Sequence, residues 1–159
     1  SDWSSDVCSS DLKIVIGCDH GGFDYKDRVV KYVKELGHEV IDVGTFDGTT
    51  SVDYPDYAEK AAMKVVNKEA DRGILICGTG IGISIAANKV NGIRCAVVHD
   101  NFTARLTRMH NDANMIAFGA RVIGIEVALD IVKTFLETEF EGGRHLNRIK
   151  KIEEIEKRN

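Results

Sequence analysis

The feature that most constrains this chain is a regular alternation of short β-branched runs with segments of helix length. Lys13–Cys18 (KIVIGC) reads as a buried strand, and Asp24–Leu36 places Val29, Val30, Val33 and Leu36 on one helical face before Gly37 supplies a stop. Glu39–Val43 is a second strand, and the loop composition of residues 44–53 leads to Pro55, just ahead of a helix over Asp56–Asn67. Gly73–Cys77 (GILIC) is a third strand, and the glycine run after it opens a helix ending near Asn88. Ile93–Val98 and Met115–Phe118 are the fourth and fifth strands, separated by a helix over Asn101–His110. Gly124–Glu139 is amphipathic through Val127, Ile131, Phe135 and Leu136, and a highly charged helix follows over Arg144–Arg158. Strands separated by helices of this length predict βαβ units. The expected fold is therefore a Rossmann-like three-layer α/β sandwich, a five-stranded parallel sheet with helices on both faces.

The 159 residues suit one domain with one core, expected over residues 13–159. Residues 1–12 (SDWSSDVCSSDL) stand apart in composition and lack the cationic start and apolar stretch of a secretory signal, so they read as a non-native or disordered leader. Trp3 and Cys8 accordingly carry no functional weight. The net charge of −4 argues against a general nucleic-acid binder. No apolar run is long enough to span a bilayer. Cys18, Cys77 and Cys95 fall in or at the ends of apolar strands and form no C-x-x-C pair, which predicts reduced thiols of a cytoplasmic protein rather than disulfides or a zinc site.

In a parallel sheet the residues to inspect are those just beyond the strand carboxyl ends. The densest chemistry there is Cys77-Gly78-Thr79-Gly80-Ile81-Gly82-Ile83-Ser84. Glycines let a backbone approach a ligand closely, and the first N–H groups of the following helix suit an anion. A thiol at that terminus is favoured as thiolate. The plainer reading is a tight turn beside an inert buried cysteine; the glycine density favours the anion site, while Cys77 alone could be either. The loop lacks the Gly-Lys-Ser/Thr of a Walker A motif, and its third glycine falls one place early for a dinucleotide fingerprint, although Asp100 lies at the distance of a ribose-binding acid.

Three further groups stand out. Asp19 and His20 follow the first strand and suit sugar hydroxyls or proton transfer; a helix-capping Asp and a polar loop His are the alternatives. Arg144 and Arg148 share a helical face that matches phosphate oxygens, or is simply solvated and balanced by Glu153, Glu154 and Glu156. His110, with Asn111 and Asp112 after it, is either an exposed loop histidine or a proton donor to a ligand. His38 reads as structural, His99 as undecided, and Asp53 and Tyr54 as rim residues.

Five motifs taken together resemble the ribose-5-phosphate isomerase B family, which also takes in galactose-6-phosphate and allose-6-phosphate isomerases. They are GCDHGGF (Gly17–Phe23), DYPDYA (Asp53–Ala58), ILICGTGIGISIAANK (Ile74–Lys89), RMHNDANMIAFGAR (Arg108–Arg121) and EGGRHLNRI (Glu141–Ile149). The resemblance implies an aldose–ketose isomerase needing neither metal nor cofactor. In it Cys77 matches the base that moves a proton between C1 and C2, and His110 the residue that helps open the ring. Gly78, Thr79, Gly80, Ile81 and Gly82 match the hole for the enediolate. Arg121, Arg144 and Arg148 match phosphate contacts, and Asp19, His20 and Asn111 match sugar contacts. One branch uses a glutamate as base shortly after this loop begins; here that stretch is Gly-Ile-Ser and the cysteine is present. The resemblance further implies a homodimer or homotetramer whose site is shared between subunits, with no nucleic-acid or membrane partner. A six-carbon sugar-phosphate isomerase and a non-catalytic nucleotide- or phosphosugar-binding module are the competing expectations.

Overall fold

The computed structural model describes residues 12–159. The leader expected over residues 1–12 lies outside them except for Leu12. That residue belongs to the folded unit: its carbonyl accepts the Glu39 N–H at 2.9 Å and its side chain packs on the core.

Five strands, β1 (Lys13–Cys18), β2 (Glu39–Asp42), β3 (Arg72–Cys77), β4 (Cys95–Val97) and β5 (Met115–Gly119), pair in parallel in the order β2-β1-β3-β5-β4. Among the described residues six helices connect or follow them: α1 (Phe23–Glu35), α2 (Tyr54–Val66), α3 (Ile81–Asn88), α4 (Asn101–Asn111), α5 (Ile125–Glu137) and α6 (Arg144–Lys157). The three-layer parallel architecture expected from the alternation is the one observed.

The strands divide their side chains by the period of two. Ile14, Ile16, Ile74, Ile76, Ile116 and Phe118 face one layer, where they meet Val29 and Val33 of α1, Ala104 of α4 and Ile131 and Phe135 of α5. Val15, Leu75, Cys77, Met115 and Ala117 face the other, against Ala58, Ala61, Ala62 and Val65 of α2 and Ile83 and Ala87 of α3. The near-continuous apolar strands are thus buried on both faces, as a parallel sheet requires.

Element ends follow local chemistry. Gly37 (φ 99°) ends α1 where the sequence places the stop. The α2 helix begins at Tyr54, two residues before the expected start, because Pro55 fits its first turn, where no N–H is needed. At the start of α4 the Asp100 carboxylate accepts the Thr103 N–H at 2.7 Å. The edge strand β4 is shorter than expected: the Ile93 N–H turns back to Val90 and the Arg94 N–H goes to the Asn114 side chain at 2.8 Å. Among the described residues no helix is long and apolar enough to cross a membrane.

Candidate active site

Strand order reverses between β1 and β3: the chain leaves β1 outward to β2, then crosses back to β3 on the other side of β1. Such a switch point opens a crevice beyond the strand carboxyl ends. Two loops meet there, residues 19–22 after β1 and residues 78–80 after β3. They touch so closely that a Cβ on Gly22 would stand 2.3 Å from the Ile76 carbonyl oxygen, and one on Gly21 would stand 3.1 Å from the Gly78 nitrogen.

Cys77 ends β3 with its side chain buried, and its Sγ accepts the Gly80 N–H at 3.0 Å. Gly80 has φ 81°, and a Cβ there would lie 2.7 Å from the Phe118 carbonyl carbon, so only glycine suits this position. The next turn is held by the Ile81 N–H to Thr79 Oγ1 at 3.2 Å. Thr79 and Ile81 are exposed at the loop surface, while Gly82 lies under the Tyr54 ring. Asp19 is buried, and its Oδ1 accepts the Gly21 and Gly22 N–H groups at 2.8 and 3.2 Å, which fixes the first loop. His20 Nδ1 accepts the Val52 N–H at 3.2 Å, so Nε2 carries the proton in a neutral ring and can donate. The Arg121 N–H donates to the Gly78 carbonyl at 3.0 Å and its exposed side chain lies over Gly78. Cys77, Gly78 to Gly82, Asp19, His20 and Arg121 therefore share one end of the sheet. His99 joins them as an anchor, its Nε2 accepting the Gly119 N–H at 3.0 Å.

The other predicted residues lie at the opposite end. The α4 helix starts after the carboxyl end of β4 and runs back, so His110 and Asn111 at its terminus sit by the strand amino ends. There Arg94 donates to the Asn111 carbonyl at 3.0 Å and Gly73 to the Asn114 carbonyl at 2.9 Å. The register places Gly73 opposite Met115 and Cys77 opposite Gly119, and Gly73 and Cys77 stand about 13 Å apart along β3. The His110 ring stacks on His145 at 4.2 Å, which holds the first turns of α6, with exposed Arg144 and Arg148, at this second end. Within one chain His110, Asn111, Arg144 and Arg148 do not meet Cys77.

Sequence reasoning passed over His145 and Glu141. His145 is buried and its Nε2 lies 3.2 Å from Glu141 Oε1, which is also 3.9 Å from His110 Nε2. The available signal was the i,i+4 spacing of Glu141 and His145 across Gly142-Gly143. His38, read as structural, is buried and accepts the Leu12 N–H on Nδ1 at 3.2 Å.

Burial pushes the Cys18 and Cys95 thiols up to about 12, so these two stay protonated, packed parts of the core. Cys77 is the thiol set at a loop, where the Gly80 N–H donates to it.

A sequence profile described as ribose/galactose isomerase matches residues 14–152. The chain is 51% identical over 146 residues to ribose-5-phosphate isomerase B of Escherichia coli, covering 92% of this chain and 97% of that protein. Among solved structures, ribose-5-phosphate isomerase B of Clostridium thermocellum superposes with a TM-score of 0.91 at 56% identity, over 92% of this chain and 99% of the other. That of Mycoplasma genitalium, solved with bound ribulose-5-phosphate, gives 0.88 at 41% identity over 92% and 97%. The chain belongs to the ribose/galactose isomerase family.

Proposed function

We propose that this chain interconverts ribose 5-phosphate and ribulose 5-phosphate, with Cys77 as the proton-transferring base and a second copy of the chain completing the site. The observation that carries the reading is Cys77 Sγ held 3.0 Å from the Gly80 N–H inside a glycine loop at the sheet's switch point. A proton on carbon beside a carbonyl is removed readily only when the developing oxyanion is stabilised at once. A thiolate base with backbone N–H groups of the same loop alongside meets both needs. Cys77 takes the proton from C2 of the open aldose, the loop N–H groups hold the enediolate oxygens, the O2 hydroxyl proton passes to O1, and the proton carried by Cys77 returns to C1. Asp19 and His20 hold sugar hydroxyls, and Arg121 grips the phosphate from the same end.

Ring opening falls to His110 of a second copy, together with Asn111 and the phosphate-binding Arg144 and Arg148, since all four lie away from Cys77 in their own chain. Support for a partner comes from exposed apolar residues, Ile81 and Ile85 one turn apart on α3, Val97 on edge strand β4 and Phe102 at the start of α4. The β4 strand also has an open edge. The reading extends to a homodimer, alone or paired into a tetramer, working in the cytoplasm, where Cys18, Cys77 and Cys95 stay reduced.

The test is a spectroscopic isomerisation assay with ribose 5-phosphate and allose 6-phosphate side by side, on the natural chain and Cys77→Ala. The expected result is a preference for the five-carbon sugar and a loss of about 10²–10⁴-fold in turnover in the variant with binding retained. Full activity in Cys77→Ala would remove the cysteine base, and a preference for allose 6-phosphate would move the substrate to six carbons.

A further inference from the structure

We propose that His110, Glu141 and His145 form a binding site for one zinc-class divalent cation, and that its occupancy stops turnover by capturing the His110 imidazole. The inhibitory half rests on the ring-opening role proposed for His110; the binding half rests on geometry alone.

The three donors come from separate pieces of chain that the fold holds together. His110 is the last residue but one of α4, His145 is the second residue of α6, and Glu141 lies on the strap between α5 and α6. Gly142 and Gly143, at φ 72° and 58°, bend the strap so that Glu141 faces back onto the first turn of α6. The Glu141 N–H donates to the Met109 carbonyl at 3.1 Å, which ties the strap to α4 beside His110. The carboxylate therefore stands between two imidazoles: Oε1 is 3.2 Å from His145 Nε2 and 3.9 Å from His110 Nε2. One ligand atom from each of the three side chains lies within 4.8 Å of the other two.

Tetrahedral zinc, with ligand bonds of about 2.0–2.2 Å, sets its ligands roughly 3.3–3.5 Å apart. The Glu141–His145 pair, at 3.2 Å, is within about 0.1 Å of that spacing. The rings of His110 and His145 are nearly parallel, at 14°, so their in-plane lone pairs must tilt to converge on one ion. His145 is buried and fixed, and its side chain is 7% exposed; His110 at 38% is the member with room to swing. Two imidazoles and a carboxylate are the donor set of zinc-type ions. The half-exposed side of the trio leaves a coordination position for water. A metal on the His110 Nε2 lone pair takes that nitrogen out of proton exchange and pins the ring against Glu141 and His145, so a bound ion holds His110 away from ring opening.

Cobalt(II) and zinc(II) are the probes, used on the full chain after treatment with a chelator. Cobalt titration should show one ion per chain with the visible absorption of a four-coordinate site, equally in the natural chain and in Cys77→Ala. Glu141→Gln, a half-exposed and nearly isosteric change, should weaken binding at least tenfold, and His145→Ala should do the same. Zinc at ten times its dissociation constant should lower turnover about eleven-fold, reversibly on adding chelator. The residual turnover of Glu141→Gln should fall no more than about twofold at that zinc concentration. Binding unaffected by Glu141→Gln and His145→Ala overturns the site, as does a thiolate-to-cobalt absorption band that disappears in Cys77→Ala, since it places the ion on the cysteine. Binding at the trio with turnover undiminished overturns the inhibitory role. Failure of cobalt to bind, with Cys77→Ala still inactive, sinks the metal site and leaves the isomerase reading intact. Cobalt binding with Cys77→Ala fully active does the reverse.

Discussion

Mixing two inactive variants tests the two-chain site. Cys77 lies at the carboxyl end of β3, while His110 lies at the far end of α4, an 11-residue helix about 16 Å long that runs back along the sheet. No side chain of either type bridges that span. Cys77→Ala and His110→Ala should each lose about 10²–10⁴-fold in turnover, the range for removing a positioned acid or base. Co-expressed in equal amounts with different tags, they should pair at random, so that about half of the dimers carry one chain of each kind. In such a dimer one site combines the intact Cys77 of one chain with the intact His110 of the other, and the second site has neither. Activity should therefore return to about a quarter of the natural level, far above either variant alone. Tandem affinity purification of the mixed dimers should raise this to about half. The assay is the steady-state rate with ribose 5-phosphate. A mixture no more active than the average of its parents would refute the shared site and require His110 to act, if at all, within its own chain.

Two other predictions address the loop and the thiols. Gly80→Ala must place a methyl against the Phe118 backbone at φ 81°; left-handed strain and overpacking together should cost about 2–4 kcal/mol, read as a shift in the urea midpoint at constant slope. Gly78→Ala meets only the flexible Arg121 side chain, at 3.3 Å, so it should fold normally and act on KM through that arginine; equal destabilisation of the two variants would contradict this account of the loop. Iodoacetamide near pH 8 should label Cys77 ahead of Cys18 and Cys95, whose thiols burial has pushed up to about 12, and ribose 5-phosphate should slow the labelling. Peptide mapping that finds Cys18 or Cys95 modified first would contradict the burial argument.

How much of this was legible in the sequence differs from residue to residue, and the differences have physical causes. The strands and helices were readable because a buried parallel strand and an amphipathic helix each impose a local pattern. The Cys77 loop was readable for the same reason: a glycine run between a strand and a helix is a local statement about backbone conformation. What escaped depends on contacts between distant segments. That β5 inserts between β3 and β4 follows from packing, and so does the need for Gly119, where a Cβ would come 2.6 Å from Thr79 Cα. Buried Lys26, bonded to Asp42 at 2.8 Å and lying over the Phe46 ring, looks in sequence like any helix-surface lysine. His145 sits between the two arginines that drew attention to α6, and only the fold reveals that it points inward, onto His110.

The direction of the chain in a parallel sheet explains why the predicted site residues fell into two groups. Every strand runs one way and α4, which follows β4, runs back, so residues just after strands gather at one end and residues closing that helix at the other. Asp19, His20 and Arg121 follow strands and Cys77 ends one; His110 and Asn111 close α4, and Arg144 and Arg148 are held beside them by the His110–His145 stack. A catalytic set drawn from both groups can be completed only by a second chain. This assigns each residue to one of two complementation groups before any is mutated. Arg121→Ala co-expressed with Cys77→Ala should give no recovery, because both defects fall on the same contributed end and no site in the mixed dimer is whole. Arg121→Ala with His110→Ala should recover, and Arg148→Ala should recover with Cys77→Ala but not with His110→Ala. The measured rates of the four mixtures, each compared with its parents, decide the matter. Recovery in the Arg121→Ala and Cys77→Ala mixture would show that the phosphate grip at Gly78 serves a different site from the cysteine beneath it, and the division of labour drawn from the strand direction would fail.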